Sequence, residues 1–278
     1  MNYRHGYHAA NFADVLKHII LIAWLKHLRL KDKGFCVMDT HAGAGGYDLS
    51  GEEAGKTQEW QSGLERVMAA ADPPPLVTDY LTAIDDARRA YKSATLYPGS
   101  PLLIAHQLRK QDRLVAIEKH PPTADALRLA LKPFAQAKAF ELDGYAALAS
   151  QLPPKERRGL VLIDPPFEAE DEFARAAHTI KSGYERWPEG GYLVWYPLKD
   201  AQAVARFEAE IQGAIIPEVL IAGLSVSAAR ERLTSCALLM INPPWTLHSA
   251  LERTLPWLER VMAQGPGASH RLEWLSGP

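Results

Sequence analysis

The chain has 278 residues, of which 47% are hydrophobic and 23% are charged, and its formal net charge is −2. This composition fits a globular protein with one large domain, and the near-neutral charge excludes a protein that binds polyanions over its whole surface. The longest apolar run, 19–25, is too short to cross a bilayer, and the amino terminus carries no secretory signal, so we expect a cytoplasmic protein without membrane contact.

The amino-terminal segment comprises residues 1–31, and its residues 11–31 are predicted to form a helix. Apolar residues repeat with a helical period, Asn11 is suited to cap the helix, and Gly34 marks its stop. The next run, "FCVMD" at 35–39, is short and β-rich, and it leads into "THAGAG", a turn that carries glycines. The sequence therefore predicts a helix followed by a first strand that ends in a glycine turn.

The stretch 46–98 differs from the chain on either side of it. It contains "GLERVMAA", a proline run and "YLTAIDDARRAYKSA", which predict short helices around a break, and it shows no strand pattern. We expect a small helical subdomain inserted into a single domain that spans 1–278.

After this insert, strands alternate with helices of about 10 to 15 residues, a pattern typical of βαβ units and a mostly parallel sheet. The last two strands follow each other without a helix, which predicts an antiparallel pair at one edge. The sequence thus predicts an α/β fold with a mostly parallel seven-stranded sheet and an antiparallel edge strand. The strands expected after the first one are 113–119, 137–143, 159–164, 190–198, 217–226 and 232–243.

Polar residues follow the predicted strands, at the sheet edge where doubly wound folds bind ligands. Gly43 lies in the glycine turn, where the backbone can approach a ligand closely, although "GAG" is also common in plain turns. Glu118 ends the second strand and suits the ribose hydroxyls of an adenosine-containing cofactor, unless it is a surface residue beside Lys119. Asp143, followed by Gly144, could cap a helix, accept a hydrogen bond from an adenine amino group, or do both.

The fourth strand ends in "LIDPPF", residues 162–167. Aspartate followed by proline is a common helix start, but two prolines directly after a buried strand are unusual. An aromatic amine is a weak nucleophile, and two acceptors facing its hydrogens would raise the electron density on its nitrogen. Asp164 and the carbonyl of Pro165 could be those acceptors, Pro166 adds no competing N–H, and Phe167 could stack on the base. The stretch resembles the D/N-P-P-Y/F/W motif of amino methyltransferases that use S-adenosylmethionine.

Together, "YRHGYHAANFADVLKH", "DTHAGAGGYDL", "YPGSP", "ELDGY" and "LIDPPFE" resemble the bacterial 23S ribosomal RNA adenine-N6 methyltransferase J family over essentially the whole chain. The resemblance implies a Rossmann-like class I methyltransferase fold and N6-methylation of a specific adenine in 23S ribosomal RNA, with S-adenosylmethionine as cofactor. It implies that Asp164 is the catalytic acceptor and that Tyr3 lies near the target adenine. Phe167 departs from the tyrosine common in this motif, which keeps the stacking ring and removes a hydroxyl. The implied cofactor contacts are His18, His41, Ser100, Glu118, Asp143, Gly144 and Asp164.

The amino-terminal "YRH" predicts contacts with substrate RNA, because aromatic rings stack on unpaired bases, and we assign Tyr3, Arg4 and His5 to this role. No cluster of histidines with carboxylates or cysteines is evident, so we expect no metal, and we expect a monomer. Other basic residues are either a local RNA-binding surface or ordinary solvated charges: Lys17, Arg88, Arg89, Lys92, Arg109, Lys110 and Arg113.

Other functions are compatible with parts of this pattern. The same chemistry acts on adenine in DNA or another RNA, although a DNA enzyme would usually carry a larger recognition domain than 46–98. A protein-glutamine methyltransferase more often has asparagine at the position of Asp164. A non-catalytic RNA-binding module could retain the fold, but the intact proline motif argues against it. A nicotinamide oxidoreductase is disfavoured because the third glycine of G-x-G-x-x-G is missing.

Overall fold

The computed structural model describes residues 5–229 and 232–277, beginning with a short 3-10 helix at His5–Tyr7. Apart from a short π-helix at Gln61–Glu65, which leads into α3, the remaining helices in these ranges are α1 (Phe12–Arg29), α2 (Glu52–Thr57), α3 (Arg66–Ala69), α4 (Pro75–Tyr91), α5 (Ser100–Gln107), α6 (Pro121–Leu131), α7 (Gly144–Gln151), α8 (Glu172–Arg186), α9 (Ala201–Gly213) and α10 (Leu247–Met262). The strands are β1 (Cys36–Asp39), β2 (Gly46–Asp48), β3 (Leu96–Pro98), β4 (Arg113–Glu118), β5 (Ala137–Glu141), β6 (Gly159–Ile163), β7 (Gly191–Pro197), β8 (Val219–Ser225), β9 (Ser235–Ile241) and β10 (Ser269–Ser276).

Helix α1 forms where the sequence predicts it. The side chain of Asn11 caps its start by accepting hydrogen bonds from the N–H groups of Ala13, at 2.9 Å, and Asp14, at 3.0 Å. The helix packs against α4, α5 and α10 and is buried over most of its surface. These surroundings explain why its sequence is apolar on more than one face.

The main sheet has eight strands in the order β10-β8-β9-β7-β6-β1-β4-β5. The strands from β5 to β7 run parallel, whereas β9, β8 and β10 form an antiparallel extension beyond β7. Strand β1 lies between β4 and β6, so the strand order reverses there. The crevice at the carboxyl ends of these strands is where a fold of this kind binds its ligand.

The predicted fold class is confirmed, with one correction to the strand count. The sheet has eight strands rather than seven, because the sequence pattern does not predict β10. It is an edge strand whose side chains are all exposed or half-buried, so it lacks the clear alternation that predicts a strand. The two consecutive strands expected to form an antiparallel pair, β8 and β9, do so, and β9 also pairs with β7.

The segment expected to be a helical insert also contains strands. Three-residue strands β2 and β3 pair antiparallel, with Gly46 opposite Pro98, and form a ribbon that closes the segment at its base. Strands of this length are too short to give a periodic pattern, which is why the sequence did not predict them. Between them, α4 contributes Val77, Tyr80 and Ile84 to the same hydrophobic core as α1.

Alternate residues of the central strands enter different hydrophobic cores on the two faces of the sheet. Val37 and Leu160 pack in the core that contains α1, α4, α5 and α10, whereas Met38 and Val161 pack in the core with α7, α8 and α9. None of the helices in the described ranges combines the length and the apolar character needed to span a bilayer.

Candidate active site

A cavity of about 1100 Å³ opens at the carboxyl edge of the parallel strands. Residues that follow β1, β4, β5, β6 and β7 line it, together with α1 and the amino-terminal segment. Tyr3 and Arg4, which were predicted to contact RNA, lie outside the described residues. All the other predicted site residues line this one cavity: His5, His18, His41, Gly43, Ser100, Glu118, Asp143, Gly144, Asp164, Pro165, Pro166 and Phe167.

Asp164 follows β6 directly and is held by Lys17 of α1. Lys17 Nζ donates a hydrogen bond to Asp164 Oδ2 at 2.5 Å and another to Asp14 Oδ1 at 2.8 Å. Burial alone would lower the pKa of Lys17, but the two carboxylates hold that pKa well above its ordinary value, so the ammonium is charged. The expectation that Lys17 belongs to a solvated basic surface is wrong, because its side chain is only 5% exposed.

Asp14 connects this pair to the amino-terminal segment. Its Oδ2 accepts hydrogen bonds from His5 Nε2 at 3.0 Å and from the N–H of Ala10 at 2.9 Å. Burial alone would raise the pKa of Asp14, but the charges of His5 and Lys17 hold it well below its ordinary value. The residues before α1 are therefore tied to the same charged network that positions Asp164.

The loop after β6 presents an aromatic ring to the cavity. Helix α8 begins only at Glu172, so the two prolines are not its first turn. Phe167 adopts a left-handed backbone conformation, with φ of 49°, which is uncommon for an aromatic residue. Its ring centroid lies 4.7 Å from that of Phe173 and 5.8 Å from that of Trp195. These neighbours hold the ring in place while it stays half-buried and accessible from the cavity.

Glu118 is oriented by two backbone groups at the end of β4. Its Oε2 accepts a hydrogen bond from the N–H of Gly43 at 3.0 Å, and its Oε1 accepts one from the N–H of His120 at 2.8 Å. Gly43 has a φ of +61° and lies close to Tyr47, so that a Cβ at position 43 would be 2.4 Å from the hydroxyl oxygen of Tyr47. Each carboxylate oxygen keeps a further lone pair, which is what two ribose hydroxyls require.

Asp143 makes contacts of two kinds. Its Oδ1 caps α7 by accepting from the first N–H groups of that helix, and its Oδ2 accepts from Lys119 Nζ at 2.9 Å and Arg175 Nη2 at 3.3 Å. Gly144 lies against the end of β1, and a Cβ added to it would meet the carbonyl oxygen of Thr40 at 2.0 Å. The short distance between the start of α7 and the end of β1 explains why position 144 is a glycine, because any larger residue would push α7 away from the cavity.

Two histidines in the cavity are neutral at neutral pH. Burial lowers the pKa of His41 to about 4, and its ring meets that of Tyr145 edge-on, with centroids 4.9 Å apart. Burial and then the charge of Lys17 lower the pKa of His18 to about 3. His18 Nδ1 lies 2.7 Å from the hydroxyl of Tyr97, while its Nε2 is buried without a partner among the described residues. Buried polar atoms are ordinarily paired, so this nitrogen is suited to bind a polar ligand.

Ser100 binds a carboxylate that the sequence did not single out as a site residue. Its hydroxyl donates to Asp39 Oδ2 at 2.7 Å, and Asp39 is fully buried at the end of β1. Burial raises the pKa of Asp39 to about 7, against the hydrogen bond from Ser100. Asp39 Oδ1 has no hydrogen-bond partner within the part of the chain that the structure describes.

A second set of contacts fastens the amino-terminal segment to the insert. Glu59 accepts hydrogen bonds from His8 Nδ1 at 3.1 Å and from Asn11 Nδ2 at 3.0 Å. The hydrogen bond that His8 donates to Glu59 raises the pKa of His8, although burial and the positive charge of Lys199 oppose the shift. One wall of the cavity mouth is therefore built from two distant parts of the sequence.

The residues present fit a cofactor with an adenosine part and a charged amino-acid part. Glu118 can accept from ribose hydroxyls, and Gly144 lets α7 lie close against the end of β1 at the edge of the cavity. His18 Nε2, which has no partner among the described residues, supplies a polar atom deep in the cavity. Within residues 5–229 and 232–277, no group of three or more histidines, cysteines or carboxylates could hold a metal ion.

A cofactor site of this type at the ends of parallel strands, beside an aspartate-proline-proline-phenylalanine loop, is that of a methyltransferase. The sequence matches the family model described as "Ribosomal RNA large subunit methyltransferase D, RlmJ" over residues 32–276, and the chain belongs to this family. It is 37% identical to the Ribosomal RNA large subunit methyltransferase J of Haemophilus influenzae over an alignment of 281 positions that covers 99% of each chain. Its identity to the Escherichia coli protein of the same name is 35% over 277 residues, again 99% of each chain.

The fold has a close match among solved structures as well. The crystal structure of protein LPL1258 from Legionella pneumophila superposes with a TM-score of 0.87 and 33% sequence identity, covering 96% of this chain and 98% of that one. The comparisons confirm the predicted family, the predicted enzyme class and S-adenosylmethionine as cofactor.

Proposed function

We propose that this chain transfers a methyl group from S-adenosylmethionine to the N6 amino group of a specific adenine in 23S ribosomal RNA. The observation that carries the proposal is the position of Asp164, which opens into the same cavity as Glu118 and the glycine turn. Family membership and the names of the relatives, which are large-subunit ribosomal RNA methyltransferases, support the substrate class. An adenine in RNA must leave its stack to reach such a cavity.

We infer that the cofactor is held by His18, His41, Gly43, Ser100, Glu118, Asp143 and Gly144, with Asp164 at its reactive end. Bound there, S-adenosylmethionine supplies an electrophilic methyl group on a sulfonium. Glu118 would bind the ribose, and Asp143, beyond capping α7, would accept from the adenine of the cofactor. His18 and His41 are neutral, so they would contribute hydrogen bonds rather than charge.

The target amine would be oriented by two acceptors. Lys17 occupies Asp164 Oδ2, which leaves Oδ1 for one amine hydrogen, and the carbonyl of Pro165 would accept the other. Pro165 and Pro166 have no N–H that could compete for these acceptors, and Phe167 would stack on the base. Asp164 would act as a hydrogen-bond acceptor, and no strong base is required because the methylated amine becomes acidic and loses its proton afterwards. Catalysis then comes from positioning and preorganised acceptors.

Tyr3, Arg4 and His5 remain our candidates for contacts with the RNA. We further propose that the protein acts as a monomer in the cytoplasm, as one domain, and without a metal. The position of every described site residue around one cavity of one chain supports the monomer. A ribosomal RNA substrate supports the cytoplasmic location.

The decisive experiment is methyl transfer from labelled S-adenosylmethionine to purified, protein-free large-subunit ribosomal RNA, with nucleoside mass spectrometry of the product. We expect N6-methyladenosine from the wild-type protein. Asp164→Ala should bind the cofactor normally and transfer at least about 10²-fold more slowly, as expected when a preorganised group is removed. Duplex DNA and transfer RNA serve as parallel substrates. A different methylated nucleoside, or unchanged turnover by Asp164→Ala, would contradict the proposal.

A further inference from the structure

The same cavity is also lined by residues that are not among the proposed cofactor contacts. Trp195, Pro197 and Lys199 line it from the end of β7, and Arg232 and Leu233 line it from the loop before β9. These two stretches are neighbours because β9 runs antiparallel beside β7. The first residues of β9 therefore lie at the carboxyl end of β7. The N–H of Leu198 donates to the carbonyl of Ser235 at 3.0 Å and holds the stretches together.

Both basic residues in this part of the cavity are available to a ligand. Lys199 and Arg232 are exposed, and neither lies within 4 Å of a carboxylate in the described part of the chain. The one hydrogen bond found for Arg232 among the described residues runs from its Nη2 to the neutral Gln264 Oε1, at 3.0 Å. Neither residue therefore forms an ion pair with a described carboxylate, although the charge of Arg232 acts on Glu59 at longer range.

The basic residues expected from the sequence to bind RNA are mostly engaged elsewhere. Arg109 binds Asp112 at 2.8 Å, Arg113 binds Glu156 at 2.9 Å, and Arg88 Nε donates to the carbonyl of Leu96 at 2.9 Å. Each of these arginines stabilises the protein itself, and none of them lines the cavity. With a net charge of −2, the protein needs a local basic surface to hold RNA, and Lys199 and Arg232 are basic residues placed at the site.

The contact between His8 and Glu59 lines the same cavity, near the two basic residues. The charge of Lys199 acts on His8, and the charge of Arg232 acts on Glu59. An RNA strand whose target base enters at Asp164 and stacks on Phe167 would bring its neighbouring phosphates to the exposed part of this cavity, where Lys199 and Arg232 attract them and Glu59 repels them.

We propose that Lys199 and Arg232 form a phosphate rim, which binds the phosphodiester groups next to the target adenine and sets the path of the RNA across the cavity. The proposal rests on the proposed function, which it extends from the base to the backbone of the substrate. Contacts of this type hold the register of a nucleic acid without reading its sequence.

The test compares Lys199→Gln, Arg232→Gln and the double variant with Lys138→Gln as a matched control. Lys138 is exposed on the edge strand β5 and does not line the cavity. Binding of protein-free large-subunit ribosomal RNA is measured over a series of salt concentrations, separately from methyl transfer. Affinity for S-adenosylmethionine and thermal unfolding are measured on the same samples to show that the variants remain folded and bind the cofactor.

We expect the double variant to bind RNA at least tenfold more weakly at low salt, with an unchanged affinity for the cofactor. The slope of log affinity against log salt should become shallower by about 0.7 for each phosphate of a single strand that the variant no longer binds. A double variant with the affinity and slope of Lys138→Gln would overturn the phosphate rim. If the wild-type protein binds RNA but yields no methylated nucleoside, the proposed function is contradicted. The binding data would still show whether Lys199 and Arg232 bind the phosphates of the RNA.

Discussion

Lys17 Nζ lies 2.5 Å from Asp164 Oδ2, and this contact joins the first long helix to the loop that carries the proposed acceptor. The same ammonium lies 2.8 Å from Asp14 Oδ1, so one buried cation serves two carboxylates. A carboxylate bound in this way has one oxygen fixed and the other free for substrate. The orientation of Asp164 therefore depends on how α1 packs against the sheet.

Lys17→Met should destabilise the protein by about 3–5 kcal/mol, the usual cost of removing one partner from a buried ion pair. Asp14, at 3% exposure, would lose its charged partner in a place that water does not reach. Urea unfolding at pH 7 measures the free energy directly. The exposed control Lys138→Gln should stay within about 0.5 kcal/mol of wild type. Equal stability of the two variants would show that the buried ammonium is dispensable.

Asp39→Asn should change the dependence of stability on pH. The folded protein holds the pKa of Asp39 at about 7, above its ordinary value of 3.8. The stabilisation from the protonated form is therefore complete below pH 3.8 and is lost as the pH rises through 7. Relative to wild type, the variant should gain roughly 4 kcal/mol of stability between pH 4 and pH 8, because each pKa unit corresponds to about 1.4 kcal/mol.

Urea unfolding at several pH values from 4 to 8 gives this difference without any activity assay. Asparagine keeps the shape of the side chain and can still accept from Ser100, so the comparison isolates the charge. If the free energy of unfolding changes with pH in the same way for both proteins, Asp39 takes up no proton between pH 4 and pH 8 and its pKa in the folded protein is not raised.

Gly144→Ala should weaken cofactor binding about tenfold or more and destabilise the fold by about 1–3 kcal/mol, the range for overpacking. The reason is the carbonyl of Thr40, which a Cβ would meet at 2.0 Å. Gly213→Ala is the matched control, because nothing lies within 4 Å of a Cβ at that position. Calorimetric titration with S-adenosylmethionine compares the two. Normal binding by Gly144→Ala would show that α7 can shift without affecting the cofactor site.

Phe167→Ala should lower kcat/KM for RNA by roughly 5- to 150-fold, since stacking on an aromatic side chain contributes about 1–3 kcal/mol per base. Phe167→Tyr keeps the ring and should retain most of the activity. Cofactor affinity should be the same in both variants, because the ring contacts Phe173 and Trp195 rather than the cofactor residues. Comparable losses in the two variants would point to the backbone conformation of residue 167 instead of to stacking.

The parts of the site at strand ends could be predicted from the sequence because of simple geometry. Parallel strands end at one edge of a sheet, so residues that follow them converge, and Glu118, Asp143 and Asp164 were located in this way. The fold class followed from the same alternation of strands and helices. The sheet edge at β10 was missed because an exposed strand has no buried face to mark it.

The contacts made by α1 could not be predicted, since they depend on packing between distant segments. Lys17 and Asp164 are separated by 147 positions, and a lysine on a helix is ordinarily solvated. Asp39 was seen at a strand end, but nothing in its neighbours reveals that a carboxylate there is wholly buried. Lys199 and Arg232 line the same cavity because β9 lies beside β7, and this neighbourhood follows from the topology of the sheet and not from local sequence.

The burial of α1 has a consequence for how the protein is made. Helix α1 is synthesised before α4 and α10, which complete the core around it, and α10 starts only at Leu247. A nascent chain therefore carries an apolar helix with an uncovered face until α10 has been made, and a chain that stops before α10 never covers it. Exposed apolar surface of this kind leads to aggregation. Truncation that removes α10 should therefore cause aggregation of the protein, although α10 itself lies outside the active site.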